Sequence, residues 1–499
     1  MTSKKQFLKS GLMLACVALL MRSVSLAFNA YITDRVGAEG MGLLSLTMSV
    51  YGFAVTFATA GVALAVTRLV AAALGRAEGE RAKRVLRAAV IYALVLGGIA
   101  ALCLYFGSHF IAVRLLSDIR TRASLRLLSI SLVPIALSAV YSGYFIAVRR
   151  VIHNALTQVF EQCVRILLTF GGLALAGNNV EYACLALVGG SSVAEFFSFF
   201  LLFIQARIDL ARHRLSGGEI GKEGKAVFGY AFPCAVSAQL RSGLVTVQHL
   251  LIPYALGLGG AARGDALASY AALHSMALPV VLFPTAILAS FSGLLVPECA
   301  ELDGAGDESR LRRLSKKALF GALVFASLAS AVLFVGADTL GVMIYDSAEA
   351  SRYIKMLAPL VPVMYMDSVV DAHLKGLGYQ VYSMGVNIID AAASVLGVLL
   401  LLPHFGAEGY IYVIYITELL NFALSLGKLV RLIRLPKSFR FWAAAPLCAL
   451  LSVLFVSLFM KGDGILHMIL CFFATVGAYT AFLFCFTKSR NKDVLFPDF

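Results

Sequence analysis

The chain contains a series of long apolar runs that follow one another from near the N-terminus to near the C-terminus. About 20 consecutive apolar residues are enough for an α-helix to cross the hydrocarbon core of a bilayer. The runs are continuous rather than alternating, which excludes an outer-membrane β-barrel. Only 14% of the 499 residues are charged, against about 25% in a typical soluble protein. The sequence therefore predicts an all-α polytopic membrane protein.

We expect about fourteen transmembrane helices. A polar, basic segment at 207–225 predicts a cytoplasmic linker between an N-terminal six-helix lobe (1–206) and a C-terminal six-helix lobe (226–434). Residues 435–499 supply two further transmembrane helices and a tail, and a second polar loop is expected at 298–317. The expected spans lie near residues 8–30, 44–74, 86–106, 126–148, 155–176, 181–206, 227–256, 266–297, 318–336, 353–374, 380–402, 409–431, 441–460 and 464–487.

The distribution of basic residues predicts the orientation of these helices. The formal net charge is +14, but Lys and Arg lie in short clusters between the apolar runs, which gives no indication of nucleic-acid binding. Most of them fall in the two tails and in alternate connecting segments. Because cytoplasmic loops are enriched in Lys and Arg, we expect both termini to be cytoplasmic. The first apolar run is interpreted as a retained helix rather than a cleaved signal peptide.

No motif for catalysis or for metal binding is recognised. The nine cysteines are scattered singly with no CxxC pair, and the eight histidines are also dispersed, so they are interpreted as packing residues. The GxSxG, Walker A and HExxH motifs are missing from the sequence. We therefore expect no enzyme activity and no cofactor. Transport would be driven by a Na⁺ or H⁺ gradient, the membrane potential or the substrate gradient itself.

Four arginines lie inside the expected spans, where each charge costs about 2.5–3.5 kcal/mol on insertion scales. Arg22 lies well inside the first helix and shares one face with Ser25 and Asn29. Two interpretations of Arg22 remain open. Its side chain is either a cation in a central cavity that receives an anion, or a structural group that caps carbonyls or reaches the interface.

The other three arginines occupy different settings. Arg241 lies in the middle of the seventh helix, two residues after Gln239, and is a second candidate to bind an anion. Arg68 is near the cytoplasmic end of its helix, where reaching water is as good an explanation as ligand contact. Arg165 forms an i,i+4 pair with Glu161, so a structural pair and a substrate site are both open.

A weak internal repeat relates the two halves of the chain. Gln158 and Glu161 at the start of the fifth helix align with Asn387 and Asp390 at the start of the eleventh. An amide and an acid three residues apart therefore recur at equivalent places. Two parallel six-helix halves with substrate between them form a known transporter architecture, and we expect it here.

Further acids lie within the spans. Glu195 on the sixth helix aligns with Glu418 on the twelfth, and each is either a polar packing contact or a residue that couples transport to an ion. Asp367, Asp371 and Lys375 are spaced i,i+4 on the tenth helix, either as a solvated face or as an ion site. Proline residues interrupt the eighth helix twice, and each break is either a static kink or a point at which the helix bends during transport.

Several stretches resemble a known family of transporters. They are ITDRVGAEGMGLLSL, ATAGVALAVTRLVAA and SGYFIAVRRVIHNALTQVFEQCVRIL. The polysaccharide biosynthesis flippases of the stage V sporulation protein B type carry a Gly-Tyr-Phe turn followed by a Gln-x-x-Glu-Gln-x-x-Arg helix. These flippases belong to the multidrug/oligosaccharidyl-lipid/polysaccharide exporter superfamily, and the likeness covers residues 5–435. The matching residues here are Gly143, Tyr144, Phe145, Gln158, Glu161, Gln162 and Arg165.

The resemblance implies two lobes around a V-shaped cavity in the cytoplasmic membrane of a bacterium. The implied substrate is a glycan or a peptidoglycan precursor such as lipid II, linked to undecaprenyl pyrophosphate and moved by alternating access. Arg22 and Arg241, followed by Arg68 and Arg165, are matched by position to cavity arginines that hold the pyrophosphate. The lipid bilayer and cell-wall synthesis enzymes are the implied partners, and a role in spore-cortex synthesis rests on the same likeness.

Two alternatives stay open at this point. A cation-coupled multidrug exporter of the same fold would usually carry acids in its N-terminal cavity, whereas the first helix here offers Arg22. A membrane-embedded glycosyltransferase would need an essential acid in an external loop, for which Asp34 and Glu39 are available.

Overall fold

The computed structural model describes residues 4–59, 61–75, 79–148, 150, 152–176, 180–211, 221–434, 439–459 and 465–488. These residues form helices and short turns with no β-strand. Ten of the helical stretches are long and apolar enough to cross a membrane, and two of the ten, with 57 and 54 residues, are long enough for two crossings each. Ile152–Ala176 and Gly221–Leu258 are also of spanning length. An all-α polytopic membrane protein with about fourteen spans is therefore confirmed.

The helices are named in chain order. They are α1 (Lys4–Thr59), α2 (Val62–Gly75), α3 (Gly79–Phe110), α4 (Thr121–Ala147), α5 (Ile152–Ala176), α6 (Val180–Ala211), α7 (Gly221–Leu258), α8 (Arg263–Ala271), α9 (Leu278–Leu282), α10 (Thr285–Gly304), α11 (Glu308–Tyr345), α12 (Ala348–Leu357), α13 (Val361–Gly376), α14 (Gln380–Ile433), α15 (Phe439–Phe459) and α16 (Ile465–Lys488). A π-helical segment, Ala272–Ala277, joins α8 to α9, and a 3₁₀ turn, Ala358–Leu360, joins α12 to α13.

Helices α1 and α14 each consist of two helices joined at a glycine. The backbone leaves the helical conformation at Gly37, with φ 75°, and at Gly406, with φ 60°. Positive φ is disfavoured for residues with a side chain, and glycine adopts it at little cost. The first and second expected spans therefore meet at Gly37, and the eleventh and twelfth meet at Gly406.

Contacts divide the chain into two compact units. The N-unit comprises Arg35–Tyr254, and the C-unit comprises Met1–Asp34 together with Ala255–Phe499. These divisions fall at different positions from the lobe boundaries expected from the sequence. Residues 212–220 of the expected linker lie outside the described residues, so those lobe boundaries stay a prediction. The first span belongs by its contacts to the C-unit, and α7 belongs to the N-unit for most of its length.

Helix α4 is the central helix of the N-unit, because it packs against α2, α3 and α6. Leu125, Leu128, Leu132 and Val140 of this helix are completely buried. Lipid is as apolar as leucine, so such contacts stabilise a membrane protein mainly through close packing rather than through release of water. The packing of α4 therefore fixes where the neighbouring helices lie.

Helix α11 has the same role in the C-unit, where it contacts α12, α13, α15 and α16. The last two helices pack on it through a small cluster of Ala331, Cys448, Ala449 and Tyr479. The hydroxyl of Tyr479 donates to the Val324 carbonyl at 2.9 Å. This polar contact ties α16 to the rest of the unit.

The prediction of a polar loop at 298–317 is wrong. Helix α10 continues to Gly304 and α11 begins at Glu308, so only 305–307 connect them. The Asp307 carboxylate caps α11 by accepting from the Arg310 backbone N–H at 3.0 Å and from the Ser309 hydroxyl at 2.9 Å. These hydrogen bonds lower the pKa of Asp307 from its ordinary value. The cap converts a charged segment into the first turns of a helix.

Candidate functional site

The eighth expected span is broken at two places in the C-unit. The first is the π-helical segment Ala272–Ala277, and the second is the turn at 283–284 between α9 and α10. Pro284 lacks a backbone N–H, and the next N–H groups reach back only three residues, from Ala286 to Phe283 and from Ile287 to Pro284. The carbonyl of Leu282 is therefore left for side chains. The kink expected at this proline is present.

Arg22 binds this released carbonyl. Its Nη1 donates to Leu282 O at 2.5 Å, and the Thr285 hydroxyl donates to the same oxygen at 2.5 Å. Nearby, the buried Tyr365 hydroxyl donates to Val281 O at 2.5 Å. The Arg22 side chain is exposed, and no other hydrogen bond of its guanidinium involves a described residue. Because a guanidinium has five N–H donors, most of them remain available to an anion.

Asn29 makes the equivalent contact at the other break. Its Nδ2 donates to the carbonyl of Ser275, in the π-helical segment, at 2.6 Å. Arg22 and Asn29 lie two turns apart on one face of α1. One face of the first span therefore satisfies the backbone at both irregular points of the eighth span. Broken helices of this kind carry binding sites in many transporters, and π-helical segments are frequent at functional sites.

In the N-unit, Arg68 and Arg241 are both exposed. The guanidinium of Arg68 lies over the ring of Tyr230, 4.7 Å from its centroid, which is a cation–π contact. Arg241 forms no hydrogen bond or ion pair with a described residue. Two residues before it on α7, the amide nitrogen and oxygen of Gln239 are buried without a hydrogen-bond partner among the described residues. Of the predicted arginines in the N-unit, Arg241 is therefore the most available to a ligand.

Arg165 holds two carboxylates. Its Nη2 lies 2.5 Å from Oε1 of Glu161 and 3.6 Å from Oε1 of Glu195 on α6. Nη1 donates to the side-chain oxygen of Gln162 at 3.3 Å. The i,i+4 pair expected from the sequence is present, and the structure adds Glu195 to it. Gln158, expected on the same face, is exposed.

The Gly-Tyr-Phe segment, expected as a turn, instead lies in the last two turns of α4, where its side chains pack against the rest of the N-unit. The Tyr144 hydroxyl donates to Oδ2 of the buried Asp209 at 2.8 Å, and Arg150 forms an ion pair with Oδ1 of Asp209. The ring of Phe145, which is fully buried, lies 4.7 Å from the ring of His153. Asp209 was not predicted as a functional residue. The sequence feature that could have indicated it is that Asp209 is a single acid among several arginines.

Replacement of Tyr144 by phenylalanine is expected to destabilise the N-unit by about 1–3 kcal/mol, because a buried carboxylate oxygen loses its hydrogen-bond donor. The measurement is thermal unfolding of the purified variant in detergent. Tyr254→Phe is the matched control, since Tyr254 is 61% exposed. Equal melting temperatures for Tyr144→Phe and the wild type would contradict this role.

The C-unit counterparts have different partners. The Asn387 side chain donates to the Ser383 carbonyl at 2.9 Å, and the Ser383 hydroxyl donates to Asp371. Lys375 lies 2.5 Å from the same carboxylate. Ser394 stands where the weak repeat would place a second Arg165. The two halves therefore do not reproduce the same charge arrangement.

The remaining acids are partly buried. Asp390 and Glu418, which the repeat aligns with Glu161 and Glu195, are both of intermediate exposure. Among the described residues, no group of three or more His, Cys, Asp or Glu side chains is arranged to hold a metal ion.

In the part of the chain that the structure describes, about fourteen apolar spans, a broken helix whose backbone is bound by an intramembrane arginine and further arginines within the spans define a membrane transporter fold. The lipid II flippase MurJ in its inward closed conformation shares this fold, with a TM-score of 0.75 at 14% identity over 96% of this chain and 99% of that chain. The chain belongs to the polysaccharide biosynthesis protein family, whose model matches residues 7–297. A MatE model matches residues 258–400.

Three further proteins are similar to this chain. An inward-facing multidrug resistance MATE family transporter of the MOP superfamily aligns with a TM-score of 0.64 at 14% identity, over 84% of this chain and 98% of that chain. Stage V sporulation protein B of Bacillus subtilis (strain 168) is 26% identical over 418 residues, 82% of this chain and 80% of the relative. Sporulation protein YkvU of the same organism is 20% identical over 380 residues, 75% of this chain and 83% of the relative.

Proposed function

We propose that the protein translocates a glycan or peptidoglycan precursor, linked to undecaprenyl pyrophosphate, across the cytoplasmic membrane of a bacterium. The observation that carries the proposal is Arg22, an exposed guanidinium inside an apolar span with most of its donors open. Membership of the polysaccharide biosynthesis protein family and the likeness to stage V sporulation protein B support it. The pathway would be cell-wall, polysaccharide or spore-cortex synthesis, with both termini in the cytoplasm.

The chemistry of the substrate fits these groups. A pyrophosphate is a compact anion that guanidinium groups bind through paired, charge-assisted hydrogen bonds. An arginine inside a span is costly unless an anion or water compensates it. The polyprenyl chain of the substrate can remain in lipid while the headgroup crosses. Arg22 and Arg241 are the first candidates to bind the pyrophosphate, and Arg68 and Arg165, whose guanidinium groups already have partners, come after them.

The direct test is translocation of a fluorescently labelled undecaprenyl-pyrophosphoryl disaccharide in proteoliposomes, read as loss of fluorescence to a quencher outside. Activity of the wild type above protein-free vesicles would support the proposal. The mass of lipid that co-purifies with the protein gives an independent reading. If cells gain resistance to cationic dyes and the labelled lipid is not moved, the multidrug-exporter alternative replaces the proposal.

Arg241→Ala is expected to lower the translocation rate by about tenfold, because loss of one charge-assisted hydrogen bond costs about 1.5 kcal/mol. The melting temperature should not change, since Arg241 bonds no described residue. Arg313→Ala, an exposed arginine of α11, is the control and should retain the wild-type rate. Wild-type translocation by Arg241→Ala would remove this residue from the binding site.

A further inference from the structure

The ionised groups around Arg165 do not balance in charge. One guanidinium faces the carboxylates of Glu161 and Glu195, which leaves a net charge of −1 when both acids are ionised. The three side chains are 28%, 19% and 21% exposed, respectively. Tyr51 of α1 is also within electrostatic range of all three and is hydrogen-bonded to Ser131 of α4 at 2.6 Å; a tyrosine hydroxyl carries no charge at neutral pH. None of these neighbours compensates the excess negative charge.

Two buried hydroxyls lie next to this cluster without a partner among the described residues. Ser192 lies one turn before Glu195 on α6 and is 4% exposed, and Thr169 lies one turn after Arg165 on α5 and is fully buried. Residues three or four apart share a helix face, so both hydroxyls are on the side of the ionised groups. Buried polar groups are nearly always hydrogen-bonded. The two hydroxyls can therefore hydrogen-bond to a carboxyl group or an ion at Arg165, Glu161 and Glu195.

The charge and geometry of this cluster suit a proton and not a metal ion. Both Glu161 and Glu195 are held by the same nitrogen of Arg165, so a metal ion bound between the acids would lie against a guanidinium that keeps its charge at all relevant pH values. A proton on one carboxylate removes the excess negative charge without placing a second cation beside the guanidinium. Of the two acids, Glu195 is held less closely, at 3.6 Å against 2.5 Å, and is the one free to accept it.

We propose that Glu195 is a proton-binding site that couples transport to the proton gradient. Its carboxylate takes up one proton and becomes a neutral acid, which leaves the Arg165–Glu161 pair balanced. The neutral acid no longer holds Arg165 electrostatically and donates instead to a neighbouring oxygen. The electrostatic contact between α5 and α6 at Arg165 therefore depends on the protonation of Glu195. The coupling rests on the proposed function, whereas the proton binding does not.

Infrared difference spectroscopy of the full chain in proteoliposomes tests proton binding without any substrate. Lowering the pH from mildly alkaline to mildly acidic should produce the C=O stretching band of a protonated carboxylic acid. This band should be lost in Glu195→Gln and retained in Glu80→Gln, where Glu80 pairs with Arg84 at the start of α3. A band of wild-type size in Glu195→Gln, or a Na⁺-induced carboxylate shift at constant pH that this variant loses, would overturn the proposal.

The charge balance gives two sharper variants. Glu161→Gln leaves a balanced Arg165–Glu195 pair and should also lose the band. Arg165→Gln leaves two facing acids and should retain the band at higher pH. If Glu161→Gln titrates as the wild type does, the charge argument is wrong. Glu195→Asp keeps a carboxylate at this position and should retain the band. If Glu195→Asp and Glu195→Gln both lose the band, the loss is due to disruption of the fold and not to removal of the carboxylate.

The coupling is tested separately with the labelled lipid. An imposed pH gradient should accelerate translocation by the wild type and should have no effect on Glu195→Gln. A wild type that shows the band but moves no lipid would refute the proposed function and leave the proton site intact. A gradient effect that persists in Glu195→Gln would refute the coupling alone.

Discussion

Arg22→Ala is expected to reduce translocation of the lipid-linked disaccharide by about 100-fold, the largest loss among the single arginine variants. The estimate assumes that a bidentate pair of charge-assisted hydrogen bonds to the pyrophosphate, about 3 kcal/mol in total, is lost. Stability should fall by only about 1 kcal/mol, because the Thr285 hydroxyl continues to bond Leu282 O. Initial rates in proteoliposomes and thermal unfolding of the same preparation provide the two measurements.

Arg22→Lys separates the two interpretations of this side chain. A lysine keeps the charge and can cap Leu282 O, but it cannot form the planar, paired contact that a guanidinium makes with a phosphate. We expect Arg22→Lys to restore the stability and to recover only part of the rate. Full recovery of the rate would show that Arg22 acts as a carbonyl cap and a general cation rather than as a bidentate pyrophosphate ligand.

Gly143→Ala is expected to destabilise the N-unit by about 1–3 kcal/mol, as other overpacked interiors are destabilised. A Cβ at this position would lie 2.6 Å from the carbonyl oxygen of Ala63 and 3.1 Å from its Cα. Both are backbone atoms of α2, so α2 and α4 must move apart. The Thr67 hydroxyl, which donates to the Gly143 carbonyl at 3.0 Å, would move with them. Thermal unfolding in detergent measures the effect.

Gly171→Ala is the matched control for this substitution. Gly171, like Gly143, lies in the last two turns of a helix of the N-unit, but a Cβ there meets nothing within 4 Å. Because alanine favours a helix over glycine by about 1 kcal/mol, we expect unchanged or slightly higher stability. If both variants lost stability equally, the close approach of α2 and α4 at Gly143 would not be the cause.

The number of spans and the break at Pro284 could be predicted from the sequence. The length of an apolar run and the position of a proline are local features that determine helix length and helix breaks without reference to other helices. The loop at 298–317 was predicted wrongly because charge was taken to mean a loop. A single acid, Asp307, is enough to start α11 inside that segment. The glycine breaks at Gly37 and Gly406 depend on backbone conformation and leave little signal in the apolar pattern.

The candidate site was predictable only along single helices. The Glu161–Arg165 pair follows from helical spacing, and so does the common face of Arg22 and Asn29. Their partners on other helices, Glu195 and the Leu282 carbonyl, depend on how helices pack and could not be read from spacing. The hydrogen bond from Tyr144 to Asp209 on α6 was missed for the same reason.

The grouping of the first span with residues far along the chain has a consequence for biosynthesis. Arg22 lies 260 residues before the carbonyl that it binds. At a synthesis rate of about 5–20 residues per second, that partner emerges from the ribosome roughly 10–50 seconds later. During this interval the nascent first helix carries an arginine and an asparagine that have not yet met their backbone acceptors. Membrane insertion of this helix therefore precedes its assembly, and the C-unit is completed only late in translation.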